Sequence, residues 1–189
     1  MSRIIMAGME TLKAALILIP IVLIMERVVF HEKRRTVGGI LFTLYLSAVY
    51  LLVGLPDITY IRPGLNLQLL PFLGLIDDWK NSILNVLLFV PMGVFLPLFW
   101  ETNRSVKSTI LFGFFISFGI EMLQTLTFRA TDVNDLITNT LGTAAGCLLA
   151  KMIMGKRFSR TALSQKHAEP WVYAGITFAV MFLIHPFLG

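Results

Sequence analysis

The sequence predicts an all-α protein, a polytopic transmembrane helical bundle of about six spans. Three observations lead to this prediction. Hydrophobic residues make up 56% of the 189 residues and charged residues only 14%, whereas soluble domains carry about 25% charged residues. Six apolar stretches have the ~20-residue length that a helix needs to cross the hydrocarbon core. Charge is concentrated in the short segments between these stretches, as in proteins that span membranes.

The six stretches follow one another along residues 1–189, which we therefore expect to form a single membrane domain. Charged, proline or aromatic residues flank each stretch and anchor it at the interface. The first contains Glu10 and Lys13, three residues apart. Because no small-residue cleavage site follows it, we expect an uncleaved span. The predicted spans are Ile4–Met25, Val37–Pro56, Ser82–Trp100, Val106–Thr127, Asp135–Gly155 and Pro170–Phe187.

The long segment between the second and third spans predicts a piece that enters the membrane without crossing it. Pro56, Pro63 and Pro71 interrupt any helix there. The apolar run at residues 65–76 is too short to span. It is typical of a re-entrant or interfacial segment.

The distribution of basic residues predicts the orientation in the membrane. The segments that follow the first, third and fifth spans, together with Lys107 and Lys151 at the adjoining span ends, hold eleven of the 16 Lys and Arg residues. Positive residues stay on the cytoplasmic side, so both termini should be extracytoplasmic in a multi-pass protein of the cell membrane. We therefore attribute the net charge of +5 to basic residues that orient the protein in the membrane. Since no nucleic-acid-binding motif accompanies it, we expect no nucleic acid partner.

Polar residues within the spans predict a site at the outer face. Lipid penalises an ionisable residue by ~2.5–3.5 kcal/mol near the bilayer centre, which favours contact between such residues. Their helical spacing aligns them on single faces of the fourth and fifth spans. With the orientation above, three spans bring polar side chains to one depth, and the connection between two of them adds Arg129 and Asp132. The residues within the spans are Asn85, Ser117, Glu121, Gln124, Asp135 and Asn139.

Four sequence blocks carry most of these residues. They are NLQLLPF, NVLLFVPMGVFLP, SFGIEMLQ and FRATDVNDLITNTLG, spread over residues 66–152. In order and spacing they resemble the VanZ-like family, named after a membrane protein associated with teicoplanin resistance. The resemblance implies a VanZ-like core at 66–152, with additional transmembrane helices at 1–56 and 170–189. Carried over by position, the blocks give Asn66, Pro71, Phe72, Asn85, Phe89, Pro91, Gly93, Ser117, Glu121, Gln124, Arg129, Asp132, Asp135, Asn139 and Gly142.

The resemblance implies a bacterial membrane protein, from a Gram-positive organism, that lowers glycopeptide susceptibility. We expect its outer polar residues to bind membrane lipids, a lipid-linked cell-wall precursor or the glycopeptide itself. Arg129 would bind a phosphate or carboxylate through two hydrogen bonds from its planar guanidinium group. The residues expected to bind the ligand are Asn66, Asn85, Glu121, Gln124, Arg129, Asp132, Asp135 and Asn139.

Two other functions stay open from the sequence. The protein could be a membrane-embedded enzyme that modifies an envelope lipid or polymer, with Glu121 or Asp135 as general acid or base. Alternatively, the polar residues only hold the helices together, and the protein is a scaffold. In that case Glu121 pairs with Arg129 or bonds to Asn85 or Asn139.

The acidic residues at the start of the fifth span have a structural explanation as well. Asp132 is placed to cap the helix, and Asp135 in its first turn favours the helix dipole. Both could join Glu121 around a divalent ion through hard oxygen ligands. No histidine or further acid completes such a shell, so we expect neither a metal nor a cofactor. The Gly142–Gly146 spacing predicts close helix packing.

Overall fold

The described residues form six α-helices, and the chain divides into two compact units. The structure, a computed structural model, describes residues 3–30, 36–59, 61–64, 67–68, 70, 78–127, 131–155 and 168–187. The first unit comprises Met1–Ile61 and Lys166–Gly189, and the second comprises Arg62–Gln165. The helices are α1 (Arg3–Met25), α2 (Thr36–Val53), α3 (Trp79–Phe99), α4 (Val106–Gln124), α5 (Val133–Met154) and α6 (Glu169–Leu183). Shorter elements are a π-helical turn (Glu26–Phe30), 3-10 turns (Glu101–Asn103 and His185–Phe187) and the strands β1 (Leu67–Gln68) and β2 (Thr131–Asp132).

The predicted all-α fold is confirmed, since every predicted span corresponds to a helix. In the described part of the chain, α2, α3, α4 and α5 are long and apolar enough to cross a membrane. Helix α1 has 23 residues, with Pro20 inside it, and α6 has 15 residues. That α1 and α6 also cross the membrane, which would give six spans, stays a prediction. Most of the run 65–76, predicted to be re-entrant, lies outside the described residues.

Glycines bring α3 and α5 of the second unit into backbone contact. A Cβ atom at Gly146 would lie 2.0 Å from the carbonyl oxygen of Val90, and one at Gly93 would lie 2.0 Å from that of Thr143. A Cβ at Gly142 would lie 2.3 Å from a further α3 carbonyl. The close packing predicted for Gly142 and Gly146 is therefore confirmed. Residue numbers rise together along both helices, so α3 and α5 are parallel.

Helix α4 packs against α5 in the opposite direction. A Cβ at Gly113 would meet the Thr143 hydroxyl at 2.3 Å, while Ser117 bonds to Asn139, one turn earlier on α5. Residue numbers that rise along α4 therefore lie beside residue numbers that fall along α5, and the two helices are antiparallel. The C-terminal end of α4 consequently lies at the same end of the unit as the N-terminal ends of α3 and α5.

A short parallel pairing lies at that end of the second unit. The backbone N–H groups of Arg62 and Gly64 donate hydrogen bonds of 2.7 and 2.9 Å to carbonyls of the Thr125–Leu126 turn. Further along, β1 pairs in parallel with β2, with Gln68 opposite Asp132. The described residues 62, 64, 67 and 68 are therefore held along residues 125–126 and 131–132.

In the first unit, α1, α2 and α6 pack around an apolar core. Tyr50 of α2 is buried there and lies edge-on to Phe178 of α6, with ring centroids 5.6 Å apart. Towards the start of both helices, Gly39 lies directly against the Tyr173 ring. The contact nearer the start of α2 is also the contact nearer the start of α6, so these two helices are parallel.

Polar groups also occur in the first unit. Glu10 and Lys13 on α1 form an ion pair of 3.1 Å. Two acids just outside the predicted spans, Glu26 and Glu169, are buried. The Tyr173 hydroxyl donates a 2.5 Å hydrogen bond to Glu26 Oε1. This bond joins the π-helical turn after α1 to α6.

Candidate functional site

Three helices of the second unit bring polar side chains together where α4 ends and α3 and α5 begin. Asn85 in the second turn of α3 donates from Nδ2 to Oδ1 of Asp135 on α5, at 2.7 Å. One turn along α5, Asn139 donates from Nδ2 to Oγ of Ser117 on α4, at 2.9 Å. These bonds connect α5 to both neighbouring helices. We call Asn85, Ser117, Glu121, Asp132, Asp135 and Asn139 the polar cluster.

Glu121 is the buried carboxylate of the polar cluster, with only 3% of the residue exposed. Its Oε2 accepts a 3.0 Å hydrogen bond from the backbone N–H of Asp132. Its backbone carbonyl accepts a 3.2 Å hydrogen bond from the Thr131 hydroxyl. Since Thr131 and Asp132 form β2, Glu121 holds the connection between α4 and α5 against the end of α4.

Asp132 and Asp135 both occupy positions that stabilise the start of α5. Oδ1 of Asp132 accepts a 2.8 Å hydrogen bond from the backbone N–H of Asn134, which satisfies a donor that has no partner within the helix. The predicted N-cap role of Asp132 is therefore confirmed. Asp135 lies in the first turn, where the helix dipole favours a negative charge.

The structure describes six of the eight predicted ligand-binding residues, and Asn66 and Arg129 lie outside the described residues. Gln124 is buried in the last turn of α4. Asn85, Asp132 and Asp135 are only partly buried. These three are therefore the most accessible of the six described members of the set.

Sequence reasoning assigned Ser117 to the polar face of the fourth span but not to the ligand contacts, and it missed Thr131 and Asn134. All three are buried. Thr131 and Asn134 belong to the run TDVND, which also contains Asp132 and Asp135. Four polar residues out of five in a connection between apolar spans are the signal that could have identified both.

The chemistry of the polar cluster is that of hydrogen bonding. Within the described residues, no three His, Cys, Asp or Glu side chains are arranged to hold a metal ion. Glu121, Asp132 and Asp135 therefore do not form the oxygen shell considered from the sequence. What the polar cluster offers instead is carboxylate, carboxamide and hydroxyl groups, at the end of three apolar helices.

Comparison with known proteins places this site within a family. The family model described as VanZ/LLP1 matches residues 14–154, a range that contains α2 to α5 and the whole polar cluster. The match begins further towards the N-terminus than residues 66–152, which carry the resemblance to the VanZ-like family. Searches of curated proteins and of solved structures return no match. Because the matched range covers well over half of the chain, this protein is a membrane protein that belongs to the VanZ/LLP1 family.

Proposed function

We propose that the polar cluster binds the head group of a cell-envelope molecule at the outer surface of the membrane. The candidate molecules are a membrane lipid, a lipid-linked cell-wall precursor and a glycopeptide antibiotic. One observation carries the proposal: the Asn85–Asp135 and Ser117–Asn139 pairs meet beside the buried Glu121.

Helix packing alone does not account for these polar residues. Gly93, Gly142 and Gly146 already bring α3 into backbone contact with α5, and close packing at small residues promotes the association of membrane helices. Ionisable residues at membrane depth are costly, and they commonly mark a functional site. Asp135 is only partly buried, so a head group can approach this residue.

A bound envelope molecule would explain the phenotype that the family resemblance implies. Retention of a cell-wall precursor or of teicoplanin at this face would reduce access of the antibiotic to its target. The expected consequence is a lower susceptibility of cells that carry the protein.

The test compares variants in a Gram-positive host at matched membrane levels. We expect Asp135→Asn and Arg129→Ala to restore teicoplanin susceptibility towards that of cells without the protein. Glu101→Gln removes an exposed carboxylate at the opposite end of α3 and should behave like the wild type. Susceptibility that is unchanged in both test variants would exclude a working site. A wild-type protein without effect would exclude the glycopeptide role.

The enzymatic alternative, with Glu121 or Asp135 as acid or base, stays a prediction with its own test. Purified wild-type protein would convert a candidate envelope lipid, and Glu121→Gln would not. Glu121→Gln keeps an oxygen that can accept the Asp132 N–H. A loss of turnover without a loss of stability would therefore favour the enzyme.

A further inference from the structure

Asn139 carries a polar atom that the protein leaves unsatisfied. Its Nδ2 donates to Ser117 Oγ at 2.9 Å, and its backbone carbonyl accepts from the Thr143 hydroxyl at 3.1 Å. Its side-chain oxygen is buried and accepts no hydrogen bond from the described residues. Only 3% of the residue is exposed. Among the described residues, the Asn139 carboxamide thus makes a hydrogen bond through its nitrogen and none through its oxygen.

An unpartnered carbonyl oxygen in this position is unfavourable for folding. A buried acceptor that loses its hydrogen bond to water and gains none in return destabilises the folded state. A leucine at position 139 would remove this cost but would also lose the hydrogen bond to Ser117. The bond to Ser117 explains the nitrogen of the side chain, and a bonding partner from outside the protein would explain the oxygen.

The chemistry of a carboxamide narrows the class of that partner. A half turn about the last side-chain bond exchanges oxygen and nitrogen, so the unsatisfied atom becomes a donor instead of an acceptor. A hydroxyl group both donates and accepts and satisfies either orientation. An ammonium group only donates, and a phosphate diester only accepts. A hydroxyl is therefore the best match.

We propose that the bound envelope molecule presents a hydroxyl group to the Asn139 carboxamide. This inference rests on the proposed function and specifies its ligand. Asp135 lies one turn nearer the end of α5, about 6 Å along the helix axis. Its carboxylate has capacity for several hydrogen bonds. Hydroxyls on opposite sides of a sugar ring are separated more nearly by this distance than the adjacent hydroxyls of a glycerol head group are, so we expect a glycosyl head group.

The experiment measures lipid binding to the full chain by native mass spectrometry, in a detergent without a sugar head group. Three lipids with identical acyl chains are compared: glucosyldiacylglycerol, phosphatidylglycerol and phosphatidylcholine. The first two offer glycosyl and glycerol hydroxyls, and the third offers no hydroxyl. We expect wild-type protein to prefer the glucosyl lipid over phosphatidylcholine by about tenfold, the effect of one buried hydrogen bond.

Two variants assign the preference to the side chain. Asn139→Leu should bind the glucosyl lipid and phosphatidylcholine equally. Thr140→Val changes the next residue of α5, whose hydroxyl bonds within the helix to the Leu136 carbonyl at 2.7 Å, and it should keep the wild-type preference. Thermal unfolding of each variant in the same detergent checks that it is folded.

The outcomes separate this inference from the proposed function. If wild-type protein retained none of the three lipids, lipid binding itself would be wrong. Retention of all three without preference, or a preference that survives in Asn139→Leu, would overturn the hydroxyl inference and leave the proposed function standing. A preference for phosphatidylglycerol that equals or exceeds that for the glucosyl lipid would support the hydroxyl and assign it to glycerol. Even if Asn139→Leu does not fold, a wild-type protein that shows no preference for the glucosyl lipid over phosphatidylcholine overturns the inference.

Discussion

At the scale of single residues, Glu121 determines how the connection between α4 and α5 is held. Its carboxylate accepts the backbone N–H of Asp132, and its carbonyl accepts the Thr131 hydroxyl. Glu121 is buried, so water does not readily replace either bond. A residue that looks like a catalytic acid from its position in a span thus also has a positioning role in this fold.

We expect Glu121→Leu to lower the free energy of unfolding by about 1–3 kcal/mol more than Glu121→Gln does. Glutamine keeps a side-chain oxygen for the Asp132 N–H, and leucine leaves that donor without an acceptor. Denaturant unfolding of both variants in the same detergent measures the difference. Equal losses would mean that the bond between Glu121 and Asp132 contributes nothing to stability.

Residue type predicted which side chains would meet but not which atoms would bond. Lipid favours contact between polar side chains, and helical spacing was enough to group Glu121 with Asp135 and Asn139. One partner of Glu121 is the backbone N–H of Asp132, however, and its position depends on the path of the connection after α4. The unsatisfied oxygen of Asn139 likewise depends on side-chain packing, which no sequence pattern expresses.

At the scale of elements, the helices were predictable because the bilayer fixes their length. Predicted and observed boundaries differ by four residues or fewer, and the differences have local causes. Helix α5 begins at Val133, two residues before the prediction, because Asp132 caps it. Helix α6 ends at Leu183, and a 3-10 turn that contains Pro186 follows it. The strands β1 and β2 were missed because two-residue segments have no periodicity to detect.

The glycine contacts between α3 and α5 predict very different effects of the same substitution. Gly146→Ala places a Cβ atom where the Val90 carbonyl oxygen would be 2.0 Å away, so the helices must separate. Nothing lies within 4 Å of a Cβ at Gly119 in α4, and alanine there should stabilise the helix by up to about 1 kcal/mol. We expect the apparent Tm in detergent to fall for Gly146→Ala and to stay level or rise for Gly119→Ala.

This pair of variants tests backbone contact rather than helix propensity, because both replace a helical glycine with alanine. A Gly146→Ala protein as stable as the wild type would contradict the close approach of α3 and α5. The hydrogen bond between Asn85 and Asp135 would then have to hold the two helices together.

At the scale of the whole molecule, the directions of the helices agree with a chain that crosses the membrane repeatedly. Helices α2 and α6 are parallel, and so are α3 and α5. Two parallel spans must be separated by an odd number of crossings, and α3, α4 and α5 supply three between α2 and α6. Helix direction alone does not say which side faces outward. That part of the prediction depends on the distribution of basic residues.

Cysteine labelling in intact cells tests both the crossings and the orientation. The single cysteine, Cys147, is buried and can be replaced by alanine to give a background without thiols. Single cysteines are then placed at Thr59, Glu101 and Ala168, all of which are exposed. We expect a membrane-impermeant maleimide to label position 59 in intact cells and positions 101 and 168 only after permeabilisation.

The expected pattern follows from chain direction. Position 59 follows α2, position 168 precedes the parallel helix α6, and position 101 lies at the end of α3 opposite the polar cluster. The reverse pattern would place the polar cluster at the cytoplasmic face, where it could not meet an envelope molecule from outside. Labelling of positions 59 and 168 on the same side would show that α2 and α6 do not both cross, and the six-span topology would be wrong.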